Sequence, residues 1–252
     1  MDIFGTAQLV LTVGILAIIY YRMIKREVPT QISLLQAIVP IIGGMIAYRF
    51  IMVAYLKVAL NWIVPIIGPI SGLAGSFAKS FCVAAIPEEV AKGLMMAVTL
   101  FLFRKRVRNV YEYILIGAAV GLGFTIVEDW GYMTDGANPL RVAFLCGHSV
   151  FNMIMGMYLG TARYKKEHNQ GPVTMNYVKA LCIPILWHGI FDAFTTCNPA
   201  FEHLPELGKI DYIYIGIAFV IGLVSIVLQV MILLRTKKDC EKYCAMTFAL
   251  QD

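Results

Sequence analysis

Apolar runs close to the length that a helix needs to cross a bilayer, about 20 residues, follow one another through this chain of 252 residues. They cover roughly 3–21, 33–55, 76–103, 112–131, 140–162, 176–197 and 210–234. Hydrocarbon offers no water to unpaired backbone groups, so such runs have to be helical. The composition agrees: 59% of residues are hydrophobic and 15% charged, against about 25% charged in soluble domains. The expected fold is therefore an all-α polytopic membrane protein, a bundle of about seven transmembrane helices. It forms a single integral membrane domain over 1–252, since no linker or internal repeat divides it. Pro87 is expected to break the third run. The stretch 60–72, with Pro65, Gly68 and Pro69, is too short and too interrupted for a clean span and reads as a re-entrant or interfacial segment.

The net charge of +5 would invite a nucleic-acid partner in a soluble protein, but here the basic residues mark topology. Arg22/Lys25/Arg26, Arg104/Lys105/Arg106/Arg108, Arg163/Lys165/Lys166 and Arg235/Lys237/Lys238 all emerge on one side when seven spans are counted. That side is expected to be the cytoplasm of a cell-membrane protein, with the N-terminus outside and the C-terminus inside; only Arg49 and Lys57 dissent. The first run, lacking a basic flank before it, reads as an uncleaved anchor. Six cysteines without CxxC spacing indicate neither a disulfide framework nor a cysteine metal site. The tail 239–252 is expected to be disordered, and His168 and His203 to be solvated loop side chains.

Ionisable side chains inside these runs are costly and call for a function. Glu88, Glu89 and Lys92 lie in the third run, Glu128 and Asp129 in the fourth, His148 in the fifth, His188 and Asp192 in the sixth. At 1.5 Å per residue, Glu128 falls near the outer end of its run, His148 about 12 Å and His188 about 13 Å below theirs, and the glutamate pair roughly 18–20 Å down the third. All can meet in the outer half of the bilayer. Each has an ordinary reading: an i,i+4 ion pair for Glu88 and Lys92, packing for a lone histidine, an interface belt for Glu128 beside Trp130 and Tyr132. Four helices burying polar groups at one depth for unrelated reasons is the weaker account. Glu88, Glu89, Glu128 and Asp192 would set four negative charges against Lys92. In low dielectric that arrangement needs protonated carboxyls or a divalent cation. Two imidazoles with carboxylates are ligands that zinc accepts, although HExxH is absent.

The motifs Glu88-Glu89-x-x-Lys92, Phe124-x-x-x-Glu128, the Arg141-(x)6-His148 run continuing into Asn152 and Gly156, and His188-x-x-x-Asp192 resemble, in order and spacing, the PrsW family of intramembrane proteases over about residues 76–195. The resemblance also implies kinship with type II CAAX prenyl endopeptidases, bacteriocin-immunity membrane proteases and the anterior-pharynx-defective scaffold of gamma-secretase. It implies cleavage of a membrane-anchored protein, such as a single-pass anti-sigma factor, on the extracytoplasmic side.

Peptide hydrolysis needs an activated water, an oxyanion stabiliser and an acid for the leaving amine. Under this reading Glu128, His148 and His188 hold a divalent metal, zinc by ligand type, with Asp192 as fourth ligand or as the group orienting His188. Glu88 or Glu89 is then the general base, and Lys92 neutralises the pair or polarises the substrate carbonyl. A metal-free mechanism, in which Glu88 activates water and the histidines form the oxyanion site, stays open. So does a non-catalytic membrane scaffold, for which Gly117-x-x-x-Gly121 and Gly156-x-x-x-Gly160 would serve packing. A transporter would need an inverted repeat, which the sequence lacks.

Overall fold

Local signals start the helices. Ser33 and Gln36 form a reciprocal cap, Gln36 N donating to Ser33 Oγ at 3.3 Å and Ser33 N to Gln36 Oε1 at 3.2 Å. Asn109 Oδ1 accepts from Glu112 N at 3.0 Å at the start of another. A computed structural model of the chain describes residues 3–133, 144–203 and 206–249, and among them the regular elements are all helical. They are α1 (Ile3–Ile24), α2 (Leu34–Ile46), a π-helical segment (Ala47–Met52), α3 (Val53–Trp62) and the single turn α4 (Val64–Ile67). Then come α5 (Gly72–Lys79), a second π-helical segment (Ser80–Ala85), α6 (Ile86–Leu102), α7 (Val110–Tyr132), α8 (Gly147–Glu167) and α9 (Thr174–Phe194). A 3-10 turn (Pro199–His203), α10 (Lys209–Lys238) and α11 (Cys240–Ala245) complete the order.

Among the described residues, five helices are long and apolar enough to cross a membrane: α1, the continuous Leu34–Trp62, α7, α9 and α10. Two of the four site-bearing helices fall short of that criterion because of the polar residues they carry, whereas α7 and α9 meet it. The helical run 72–102 carries Lys79, Glu88, Glu89 and Lys92, and α8 carries His148 and a basic last turn.

α7 is the centre, buried along most of its length, while α10 shows most of its surface outward, with Phe219, Ile213 and Val220 among its exposed residues. Exposed apolar side chains of this kind are the lipid face of a membrane bundle. Around α7 pack α8, α2 and α1. Small residues set the closest approaches: a Cβ at Gly121 would run into the backbone of His148 and Ser149, and one at Gly117 into that of Asn152. The Gly motifs thus bring the α7 and α8 backbones together at the level of the site.

Three expectations are corrected. The third run is not broken at Pro87, because helix continues from the π-helical turn through it. In the fifth run 144–146 form a turn and helix α8 begins at Gly147, so His148 lies in its first turn; residues 134–143, including Arg141, are outside the described residues. The tail is folded as far as residue 249. Cys240, Tyr243, Cys244 and Phe248 are buried, Phe248 N donates to Arg108 O at 2.8 Å, and the Phe248 ring meets Tyr113 edge-on at 5.4 Å. The six cysteines are free thiols.

Candidate active site

Helical spacing gathers the first group. On α6, Glu88 and Glu89 stand four and three residues before Lys92, so all three can share one inward face. Lys92 is fully buried, and its Nζ lies 2.7 Å from Glu89 Oε1 and 3.5 Å from Glu88 Oε2. The same ammonium is 2.9 Å from His148 Nδ1 and 4.1 Å from the centre of the Phe124 ring. Phe124 and Glu128, one turn apart on α7, therefore each reach the site.

The two imidazoles divide the carboxylates between their edges. On the δ edges, Glu89 Oε1 lies 2.9 Å from His188 Nδ1, while Lys92 faces His148 Nδ1. On the ε edges, Glu128 Oε2 lies 2.5 Å from His148 Nε2, Asp192 Oδ2 is 3.3 Å from His188 Nε2, and Glu88 Oε2 is 3.9 Å from the same nitrogen. Glu88, His148 and His188 each offer a ligand atom within 4.8 Å of the other two, and all three are buried. In a tetrahedral zinc site, bonds of about 2.0–2.1 Å put donor atoms about 3.3 Å apart. The Glu88 Oε2 to His188 Nε2 separation of 3.9 Å is wider than that, so these side chains would draw together to close on one ion.

The hydrogen bonds fix what the ring nitrogens can do. Glu89 can only accept, so His188 carries its proton on Nδ1 and turns the Nε2 lone pair toward Asp192 and Glu88. A lone pair facing two carboxylates requires a positive partner between them, a second ring proton or a metal cation. His148 is arranged the other way. The Lys92 ammonium only donates, so Nδ1 accepts and Nε2–H points to Glu128; ligation through Nε2 would require this ring to exchange tautomers, with Lys92 giving up a proton. Glu89 Oε2 is buried with no hydrogen-bond partner. Four carboxylates in a cluster with one ammonium, two of them facing the ε edge of one imidazole, and a buried carboxylate oxygen without a partner are the features expected where a divalent cation belongs.

Aromatic rings close the pocket. Phe144 meets His148 edge-on at 4.9 Å, lies 5.4 Å from His188 and stacks on Phe191 at 4.6 Å; Phe151 lies 5.8 Å from His188. Sequence reasoning missed these rings, although Phe144 lies four residues before His148. The Ser80 hydroxyl donates to Gly189 O at 2.5 Å, and the Phe81 ring fills the space that a Cβ at Gly189 would need. These contacts set α9 against the start of α6. Glu88 and Asp192 are the least enclosed polar members, their side chains 9% and 13% exposed, so the site opens on their side. His203 is not simply solvated: its Nδ1 lies 2.6 Å from the buried Asp211. His168 stacks on Tyr164 at the surface.

The family model described as "PrsW family intramembrane metalloprotease" matches residues 33–228. Protease PrsW of Shouchella clausii (strain KSM-K16) is 34% identical over 120 residues, which are 46% of this chain and 53% of that protein. Protease PrsW of Clostridioides difficile (strain 630) is 30% identical over 121 residues, 45% of this chain and 50% of that protein. Protease PrsW of Bacillus subtilis (strain 168) is 29% identical over 126 residues, 48% of this chain and 56% of that protein. The chain thus spans about half the length of the curated relatives it matches. No solved structure matches. With the family match running through every helix that builds the site, this chain belongs to the PrsW family of intramembrane metalloproteases.

Proposed function

We propose that this protein is an intramembrane peptidase that hydrolyses a peptide bond of a single-pass membrane protein, of which an anti-sigma factor is an example, at the extracytoplasmic side of the cell membrane. The observation that carries the reading is the meeting of Glu88, His148 and His188 within 4.8 Å inside an apolar helical bundle. These three would hold a divalent metal, zinc by ligand type, with Asp192 beside His188 Nε2 as a fourth ligand or an orienting group. When bound, such an ion supplies Lewis-acid polarisation of a carbonyl and lowers the pKa of water.

The remaining roles belong to the chain. Glu128, at the ε edge of His148, is the general base that takes a proton from the attacking water and returns it to the leaving nitrogen. This exchanges the sequence-based roles of Glu88 and Glu128, because Glu88 reaches both imidazoles. Glu89 orients His188, and Lys92 fixes His148 and offsets the carboxylates. Phe144, Phe151 and Phe191 keep bulk water out, and substrate enters past Glu88 and Asp192. A second reading, metal-free and glutamate-based, draws on the His148–Glu128 and His148–Lys92 contacts, which are complete without an ion.

Seven crossings follow if the helical run 72–102 and α8 span the bilayer beside the five apolar helices. The basic helix ends then lie in the cytoplasm with the C-terminus, and the N-terminus lies outside. The wider kinship with CAAX endopeptidases and the gamma-secretase scaffold belongs to the same reading. Cleavage of a single-pass reporter by purified protein in lipid, compared with Glu128→Gln, tests the function. Equal cleavage by both would remove Glu128 as base, and cleavage by neither would favour a scaffold.

A further inference from the structure

The start of α6 has a backbone vacancy that its own helix cannot fill. The Ser80 N–H still bonds Ser76 O four residues back, but the segment Ser80–Ala85 winds into a π-helix, and at its end the Ile86 N–H bonds Phe81 O five residues back. The next donor in the register belongs to residue 87, a proline without an N–H. The carbonyl of Cys82, ten residues before Lys92, is therefore deprived of its helical partner. The donor comes instead from another helix, as the Tyr55 hydroxyl bonds Cys82 O at 2.5 Å across 27 residues of sequence. The Tyr55 ring also packs on the cluster of Ala47, Met52, Ala91 and Phe124, and Phe124 is the ring beneath the Lys92 ammonium. One side chain thus touches both the turn that leads into Glu88 and the wall that holds Lys92.

We propose that Tyr55 is a positioning residue of the site, its hydroxyl standing in for the hydrogen bond that Pro87 cannot make and so fixing the π register that aims Glu88 and Glu89 at the two imidazoles. The register matters because one residue of slip turns a helix by about 100°, enough to carry both carboxylates away from His148 and His188. Tyr55 acts through the backbone of Cys82 and touches none of the reacting groups. The activity part of the inference rests on the peptidase reading above; the hydrogen-bond part does not.

The test is a double-mutant cycle in the full chain, with Tyr55→Phe, Pro87→Ala and the double variant. Alanine at 87 supplies the missing N–H, so it should make the Tyr55 hydroxyl dispensable. Three quantities are read: hydrogen exchange over 80–92, zinc affinity by chelator competition, and kcat against KM on a membrane reporter. Tyr55→Phe is expected to speed exchange at 83–89 and to lower zinc affinity and kcat about 10-fold, the scale of lost support behind metal ligands, with KM little changed. The double variant is expected to return to near the Pro87→Ala level in all three. The proposal is overturned if Tyr55→Phe matches the unaltered protein, or if its defect persists undiminished alongside Pro87→Ala. Should Pro87→Ala fail to fold, 4-aminophenylalanine at 55 retains a donor: behaviour like tyrosine supports the proposal and behaviour like phenylalanine overturns it. If the unaltered protein neither binds zinc nor cleaves, the peptidase reading fails, and the exchange data alone decide the role of Tyr55.

Discussion

Lys92 shows what a single buried charge does here. Its ammonium faces Glu89, Glu88 and His148 and lies over Phe124, with no exposed surface. Removing it strands carboxylates in low dielectric, so Lys92→Met should cost about 3–5 kcal/mol of stability, read by thermal unfolding in detergent. A loss below about 1 kcal/mol, the value of an exposed pair, would contradict the buried network. Among the carboxylates the effects should separate. Glu128→Gln should cut turnover by about 100-fold or more while metal content stays, as loss of a general base does. Glu89→Gln should weaken metal affinity about 10- to 100-fold by loosening His188. The spacing of Glu88, Glu89 and Lys92 made their shared face legible in the sequence, and Glu128, His148, His188 and Asp192 were legible as polar groups within apolar runs. Which carboxylate meets which edge of which imidazole was not, because spacing fixes a face on one helix and leaves open how neighbouring helices are turned. Tyr55 was hidden for a related reason, its partner being a carbonyl 27 residues away.

At the scale of elements, α7 and α8 are held so close by Gly117, Gly121 and Gly156 that a side chain there must push the helices apart. Gly121→Val should displace the backbone at His148, costing about 1–3 kcal/mol by overpacking and activity with it; retained activity would show that His148 does not depend on this contact. The basic end of the bundle has its own network. Arg108 bonds Glu27 at 3.1 Å and Glu112 at 2.5 Å, and Arg108 O accepts from Phe248 N in the tail. Burial, reinforced by the hydrogen bond and charge of Glu112, pushes the Glu27 carboxyl from its ordinary 4.5 to about 8. The folded state thus holds a proton that the unfolded chain releases near 4.5. This contribution to stability is fully present below that value and fades as pH rises through about 8. Amide protection over 240–249, corrected for intrinsic rates, should fall between pH 7 and 9, and Glu27→Gln should flatten the dependence. A flat profile in the unaltered protein would contradict the assignment. The tail escaped the sequence reading because α11 is six residues long, too short for a periodicity, and docks through contacts distant in sequence.

For the molecule as a whole, hydropathy made the helical class and five of the apolar helices legible. Two of the helices that carry the chemistry, α6 and α8, were harder to bound, since the polar residues they bring to the site also dilute the apolar pattern, as the start of α8 at Gly147 shows. The proposed orientation predicts that, in a cysteine-free background, a cysteine at Glu202 reacts with an impermeant reagent from outside the cell and one at Lys105 does not. The reverse labelling would turn the site to the cytoplasmic side. The central claim is that Glu88, His148 and His188 form one metal centre. The direct measurement is elemental analysis of the purified protein beside Glu88→Gln, His148→Ala and His188→Ala, with cleavage measured before and after chelation. The account predicts about one zinc per chain, lost in each variant and with chelation, with cleavage lost in parallel. Cleavage that survives both chelation and His148→Ala would contradict it and leave the glutamate mechanism in its place.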